Sequence, residues 1–210
     1  MINKRVPEAV IRRLPKYYIK LCELESQGVI RISSLQLSQQ MGLNASQIRQ
    51  DLNYFGGFGQ QGYGYMVDNL RKNLGEILGL HEETQMVIVG CGHIGLGLAR
   101  YEGFHNRGFK IVKMFDTNEK IIGTTINGIE ICNVSTLKNF LENESIDIGV
   151  IAVPKSKAQK IADIFIECNV KGIWNFAPCD ISAPNAVVED VRLDNSLLAL
   201  KYKIINEIYD

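Results

Sequence analysis

Eighty-five residues precede the segment Met86-Val-Ile-Val-Gly90-Cys-Gly92-His-Ile-Gly95-Leu-Gly-Leu-Ala99, and nothing else in this 210-residue chain constrains the fold as tightly. A short apolar run ends in glycines spaced G-x-G-x-x-G. It then continues at helical spacing, with Ile94 and Leu98 four apart on the expected core side. A strand, a tight turn and a helix in that order offer backbone N–H groups and a positive dipole end to phosphates. Gly90 permits the turn, Gly92 lets a pyrophosphate approach the backbone, and Gly95 lets helix and strand pack closely. Phe109–Asp116 reads as the next strand. Its last residue, Asp116, can accept a hydrogen bond from a ribose 2′-hydroxyl. The expectation is a dinucleotide site built from Gly90, Cys91, Gly92, His93, Ile94, Gly95 and Asp116. A Gly-rich turn that binds nothing is the plainer alternative.

Downstream, strands and helices alternate. Residues 146–153 read as an apolar strand stopped by Pro154, and residues 156–168 as a helix with Ile161, Ala162, Phe165 and Ile166 inward. Residues 172–176 form another strand before Ala177-Pro178, and residues 187–193 a last one. That alternation predicts an α/β domain with a doubly wound parallel sheet. Ligands of such sheets lie beyond the strand C-termini, which places Val153, Pro154, Ala177 and Pro178 beside the cofactor. Both prolines also serve simply to stop strands.

A formal net charge of zero conceals a division. Residues 1–80 carry ten Lys/Arg against six Asp/Glu, and residues 81–210 carry thirteen against seventeen. A basic head on an acidic body suits a polyanionic partner. The five cysteines, Cys22, Cys91, Cys132, Cys168 and Cys179, have no C-x-x-C or metal spacing and read as reduced thiols in a cytoplasmic protein. Cys91, at a helix start, is the one with a conceivable redox role. No apolar run is long enough to span a membrane, and the N-terminus is charged instead of signal-like.

The head reads as short helices. Pro7 and Glu8 suit a first turn, and Pro15 either kinks that helix or opens a second one reaching Gly28. Ser33 or Ser34 caps a helix with Leu37 and Met41 inward, ended by Gly42. Asn44 or Ser46 caps the next, from Ala45 to about Tyr54, with Ile48, Leu52 and Phe55 as its apolar stripe. Its other face carries Ser46, Gln47, Arg49, Gln50, Asn53 and Tyr54. Two short helices about a glycine turn, the second with an Arg/Gln/Asn face, match a helix-turn-helix reading bases in the major groove. A solvated face would more often be Glu/Lys-rich. The segment from Gly56 to Tyr65, five glycines interleaved with aromatics, predicts a β-hairpin wing with Gln61 on it. A helix over residues 68–80 follows, with Val67, Leu70, Leu74, Ile77 and Leu78 for packing.

Val6-Pro-Glu-Ala, Gln47-Ile-Arg-Gln-Asp-Leu before Tyr54-Phe-Gly, Gly62-Tyr-Gly-Tyr, Val89-Gly-Cys-Gly-His-Ile-Gly and Gly172-Ile-Trp-Asn-Phe-Ala-Pro178 follow one another in this chain. Together they resemble the Rex family of redox-sensing transcriptional repressors, over essentially the whole length. The resemblance implies a homodimeric winged-helix repressor whose Rossmann domain binds NADH and NAD+. Such a protein holds inverted-repeat operator DNA when NADH is scarce and releases it when NADH binds. It also implies that Tyr101 lies beside the nicotinamide. Two departures stand out. Gln50 and Gln61 occupy positions that are often basic. Arg192 and Leu193 replace an Asp and an aromatic, with Asp194 two places on, so the family's Asp-to-Arg link does not carry directly onto Arg13.

These readings divide the chain into a winged-helix domain (1–80), a Rossmann domain (81–194) and a C-terminal helix (195–210). That helix carries one stripe of Leu197, Ile204 and Ile208 and a second of Leu198, Tyr202, Ile205 and Tyr209. A monomer surface needs only one buried stripe, so the second predicts a domain-swapped partner. The alternative function is a small NAD-dependent dehydrogenase with a helical extension. It is disfavoured because no substrate domain follows, and His81, His93 and His105 do not close a later strand as a proton donor would. A nucleotide-gated protein scaffold has no positive feature behind it.

Overall fold

Prolines and side-chain caps start four of the helices of the N-terminal unit, Met1–Glu82, in the computed structural model, which describes residues 6–59 and 63–208. Helix α1 (Glu8–Ile11) follows Pro7, and α2 (Leu14–Ser26) carries Pro15 in its first turn, where the missing N–H costs nothing. After β1 (Arg31–Ile32), Ser33 and Gln36 exchange side-chain and backbone hydrogen bonds of 3.1 and 2.9 Å, a complete capping box for α3 (Ser34–Met41). Gly42, left-handed at φ 63°, ends α3. Asn44 then caps α4 (Ala45–Asn53) through a 2.8 Å bond from the Ser46 N–H. Tyr17, Leu21, Leu37, Ile48, Leu52 and Leu70 are fully buried at the centre, and α5 (Val67–Ile77) closes the core. Ile77, expected inward, is exposed because the helix ends there.

The expected wing spans residues 60–62, which lie outside the described residues. Among the described residues the partner of β2 (Tyr65–Met66) is β1, far upstream, and the two pair antiparallel with Ile32 opposite Tyr65. One glycine permits the close pairing. Gly64 lies at φ +74°, and a Cβ there would strike the carbonyl of Ile32. Gly64 is thus the point of close approach to β1, whereas a Cβ on Gly57 would meet nothing within 4 Å. Gln61 lies outside the described residues.

In the second unit, Glu83–Asp210, seven strands stand in the order β5-β6-β4-β3-β7-β8-β9. They are β3 (Thr84–Val89), β4 (Phe109–Asp116), β5 (Thr125–Ile126), β6 (Ile129–Asn133), β7 (Ile148–Ile151), β8 (Gly172–Asn175) and β9 (Val187–Asp190). All pair in parallel except β5, the far arm of a hairpin turned at Asn127-Gly128. Helix α6 (His93–Ala99) joins β3 to β4, α7 (Leu137–Asn143) joins β6 to β7, and α8 (Lys155–Glu167) joins β7 to β8. Strand alternation sorts the core into two layers. Val87, Val89, Phe115 and Ile151 meet α7 and α8, while Ile88, Met114, Ile131 and Val150 meet α6. The chain steps outward from β3 on one side and returns to β7 on the other, which opens a crevice at their C-terminal ends. This is the doubly wound Rossmann order.

Three expectations shift. Ile94 is 38% exposed, and Gly95 and Ala99 form the buried side of α6, because Gly95 must face the strand and carries Ile94 round with it. The last strand stops at Asp190, and the final helix, α9 (Leu193–Ile205), begins two residues earlier than expected, with Arg192 as its cap. Tyr101 lies just beyond α6. Of α9, no residue is buried. Leu193, Leu197, Leu198, Leu200, Tyr202, Ile204 and Ile205 are all more than half exposed. Tyr209 lies outside the described residues.

Candidate functional site

At the crevice lies a cleft of about 710 Å³, lined by Gly90, Gly92, Asp116, Thr117, Val153 and Pro154 among others. The three glycines of the adjoining turn have three different reasons. Gly90 lies at φ +101°, and a Cβ would collide with the Ala152 carbonyl and sit 2.9 Å from the Val153 side chain. At Gly95 a Cβ would run into the Gly90 carbonyl, so only glycine lets α6 lie so close to the turn. A Cβ on Gly92 would meet nothing within 4 Å of the protein. Backbone is therefore bare at Gly92 where the protein itself requires no closeness, a cradle that suits an approaching phosphate.

Asp116 closes the cleft from β4. Its carboxylate accepts the Cys91 N–H at 2.6 Å and the Asn118 N–H at 2.8 Å. Cys91 itself is 4% exposed, with its thiol donating to the Phe115 carbonyl at 3.6 Å. Burial first, and then the Asp116 charge, push that thiol up to about 12. A thiolate is the reactive form, so a redox role for Cys91 does not follow from its place at a helix start.

Of the expected cofactor residues, the fold brings Gly90, Gly92, Asp116, Val153 and Pro154 together on the cleft. His93 and Ile94 stand exposed at the start of α6, while Gly95 is buried beneath it. Tyr101, Ala177 and Pro178 do not line this cleft. Tyr101 starts an edge-to-face chain through Phe104 and Trp174 to Phe176, with ring centroids 4.9, 5.7 and 4.7 Å apart. Ala177 is held from behind. Asn175, wholly buried, accepts its N–H at 2.9 Å and donates to Asp190 and to the Cys179 carbonyl. Arg192 grips the Ala177 carbonyl at 2.5 Å and Asp180 at 2.8 Å.

Sequence reasoning missed the far wall of the cleft: Val134, Ser135, Lys138, Lys157, Lys160, Ile161 and Ile164. Lys157 and Lys160 stand three apart on α8, just past the C-terminus of β7. That spacing after a strand-ending proline was the available signal. Lys138 is tied to Glu167 at 2.8 Å.

The helix-turn-helix face is equally concrete. Arg49 projects from α4 and is held at both ends of its guanidinium, by Ser34 Oγ and Ser46 Oγ, each at 2.9 Å. Gln50, Asn53 and Tyr54 are exposed beside it, and Gln47 is half-buried. Arg31 lies 5.5 Å from the ring centre of Tyr63. Beneath this surface sits an unexpected group, Asp51, only 3% exposed. Arg13 forks onto it with bonds of 2.6 and 2.9 Å, and the Tyr17 hydroxyl donates at 2.6 Å. Burial raises the Asp51 pKa, but the bonds from Arg13 and Tyr17 and the Arg13 charge outweigh it and leave it below the ordinary value. The partners shift in kind: the Asp51 bond raises Arg13, and burial and Asp51 raise Tyr17.

Comparison with known proteins gives concordant findings. The model for the CoA binding domain matches residues 81–179, and the model described as "Putative DNA-binding protein N-terminus" matches residues 5–53. The redox-sensing transcriptional repressor Rex of Clostridium botulinum is 52% identical over 199 residues, covering 94% of this chain and 95% of that protein. Rex of Clostridioides difficile is 48% identical over 201 residues, covering 95% and 96%. Among solved structures, RSP in complex with β-NAD+ and operator DNA superposes with a TM-score of 0.92 at 45% identity, covering 98% of this chain and 95% of that one. RSP in complex with β-NADH gives 0.91 at 42% identity, covering 98% and 97%.

Proposed function

Because the chain belongs to the Rex family of redox-sensing transcriptional repressors, we infer that it regulates transcription by holding operator DNA and answering to NADH and NAD+. It is a DNA-binding repressor that senses the NADH/NAD+ ratio, and not an enzyme. The observation that carries this reading is the glycine cradle: Gly90 and Gly95 are demanded by the protein's own atoms, whereas Gly92 is left bare toward the cleft. A bound dinucleotide supplies the redox signal. The Gly92 backbone and the start of α6 suit its pyrophosphate, Asp116 its adenosine ribose, and Lys157 and Lys160 add positive charge to the adjoining wall.

The recognition surface is α4, with Arg49 as the reader of bases and Gln47, Gln50, Asn53 and Tyr54 fixing register. Ser34 and Ser46 hold Arg49 outward and so lower the entropy lost on contact. The uncovered apolar surface of α9 supports a homodimer in which this helix crosses to the second copy, matching an inverted-repeat operator. No helix among the described residues is long and apolar enough to cross a membrane. A repressor of this kind works in the cytoplasm, where DNA and the cofactor pool meet.

A gel-shift on an operator selected from random DNA, with and without NADH, tests this beside a turnover assay on common 2-hydroxy acids. Operator released by NADH with no turnover is the expected result. Turnover without DNA binding would establish the dehydrogenase reading instead.

A further inference from the structure

We propose that Asp51 is a positioning residue for operator reading. Through Arg13 and Tyr17 it fixes the rotation of α4 about its own axis, and with it the direction in which Arg49 and Asn53 leave the helix. This deepens the DNA-reading role of α4 and rests on it.

The inner face of α4 carries Ile48 and Leu52, both essentially inaccessible, and at its edge this carboxylate. An apolar side chain would fill the same place without the cost of desolvating an ion. A negative charge in a helix that meets phosphates is a second cost. Both are offset by one arrangement. Arg13 and Tyr17 lie four apart at the start of α2, and together they deliver three hydrogen bonds to the two carboxylate oxygens. Hydrophobic packing tolerates small slides and rotations, but a planar guanidinium fork on a carboxylate does not.

Helical geometry turns that rigidity into aim. At about 100° per residue, Arg49 and Asn53 each stand about 160° from Asp51, on either side of the direction opposite to it. The clamp therefore sits directly behind Arg49 and Asn53. A rotation of about 10° would move groups at the outer radius of the helix by about 1 Å, more than a bidentate base contact tolerates. Ser34 and Ser46 restrain Arg49 itself, and the Asp51 clamp restrains the helix that carries it.

The test measures operator and non-specific DNA affinity of the full chain at fixed salt, in wild type and in Tyr17→Phe, Asp51→Asn and the double variant R13M/D51L. Tyr17→Phe keeps the ring in the core and removes one hydroxyl, so it keeps the fold. General destabilisation lowers both affinities by the same factor and leaves their ratio unchanged, whereas misaimed side chains lower the ratio. The operator-to-non-specific ratio is expected to fall at least fivefold in Tyr17→Phe and further in Asp51→Asn. It should stay low in R13M/D51L, whose apolar pair refills the site. A ratio within twofold of wild type in Tyr17→Phe and Asp51→Asn would overturn the proposal, as would full recovery in R13M/D51L. Absence of specific operator binding by the wild type would instead remove the reading of α4 as the DNA-contacting helix.

Discussion

The carboxylate of Asp116 accepts the backbone N–H of Cys91 at 2.6 Å, so the residue that closes β4 also shapes the glycine turn that follows β3. Ligand selection and loop geometry are joined at this side chain. Asp116→Ala should weaken NADH by at least tenfold, in line with about 1.5–3 kcal/mol for a hydrogen bond to a charged group. It should also narrow the preference over NADPH, since a carboxylate repels a 2′-phosphate. Isothermal titration of both cofactors checks this. Equal NADH and NADPH affinity in the wild type would contradict the assignment.

The glycines of the turn should fail in different ways. Gly95→Ala forces a methyl group against the Gly90 carbonyl, which is backbone and cannot swing away. It should destabilise the second unit by about 1–3 kcal/mol or more. Gly92→Ala, with open space around the new methyl group, should melt as the wild type does and lose NADH affinity by about tenfold. Calorimetric melting and cofactor titration of the two variants should therefore rank them in opposite order.

Much of this was legible in the sequence, for reasons that vary by residue. The roles of Gly90, Gly92 and Gly95 could be read in advance because backbone sterics impose them. The caps Ser33, Asn44 and Gly42 were similarly local. Asp51 stayed hidden because an acid in a polar helix reads as solvated, and its partners are 34 and 38 residues away. The pairing of β2 with β1 was not legible because β1 is two residues long and shows no alternation. The β5–β6 hairpin carried its signal in Asn127-Gly128, a dipeptide that suits left-handed turns. Lys157 and Lys160 were overlooked because helix lysines usually belong to a solvated face.

Acid should act through Asp51. Its folded pKa lies below the ordinary 3.8, so its contribution to stability is complete above that value and is lost as pH falls below it. The melting-temperature gap between wild type and Asp51→Asn should be constant from pH 8 to 5 and shrink below about pH 4. At neutral pH, replacing the carboxylate by a neutral amide should cost about 1.5–3 kcal/mol, the range for hydrogen bonds to charged groups. A gap that widens on acidification would mean that the carboxylate is not held ionised.

Truncation after Asp194 removes nearly all of α9 and its exposed leucines and isoleucines. The shortened chain should sediment as a monomer and lose tight operator binding, since one half-site supplies only a fraction of the affinity. A truncated chain that remains a dimer would place the interface on another surface.

The central claim is that NADH and operator DNA bind the same molecule in opposition, and linkage tests it without assuming a mechanism. The factor by which NADH weakens operator binding must equal the factor by which operator weakens NADH binding. Titrating NADH into the protein alone and into the protein saturated with operator should give a weaker cofactor affinity in the second case, by the factor seen in the reverse experiment. An NADH affinity unchanged by saturating operator would contradict the account.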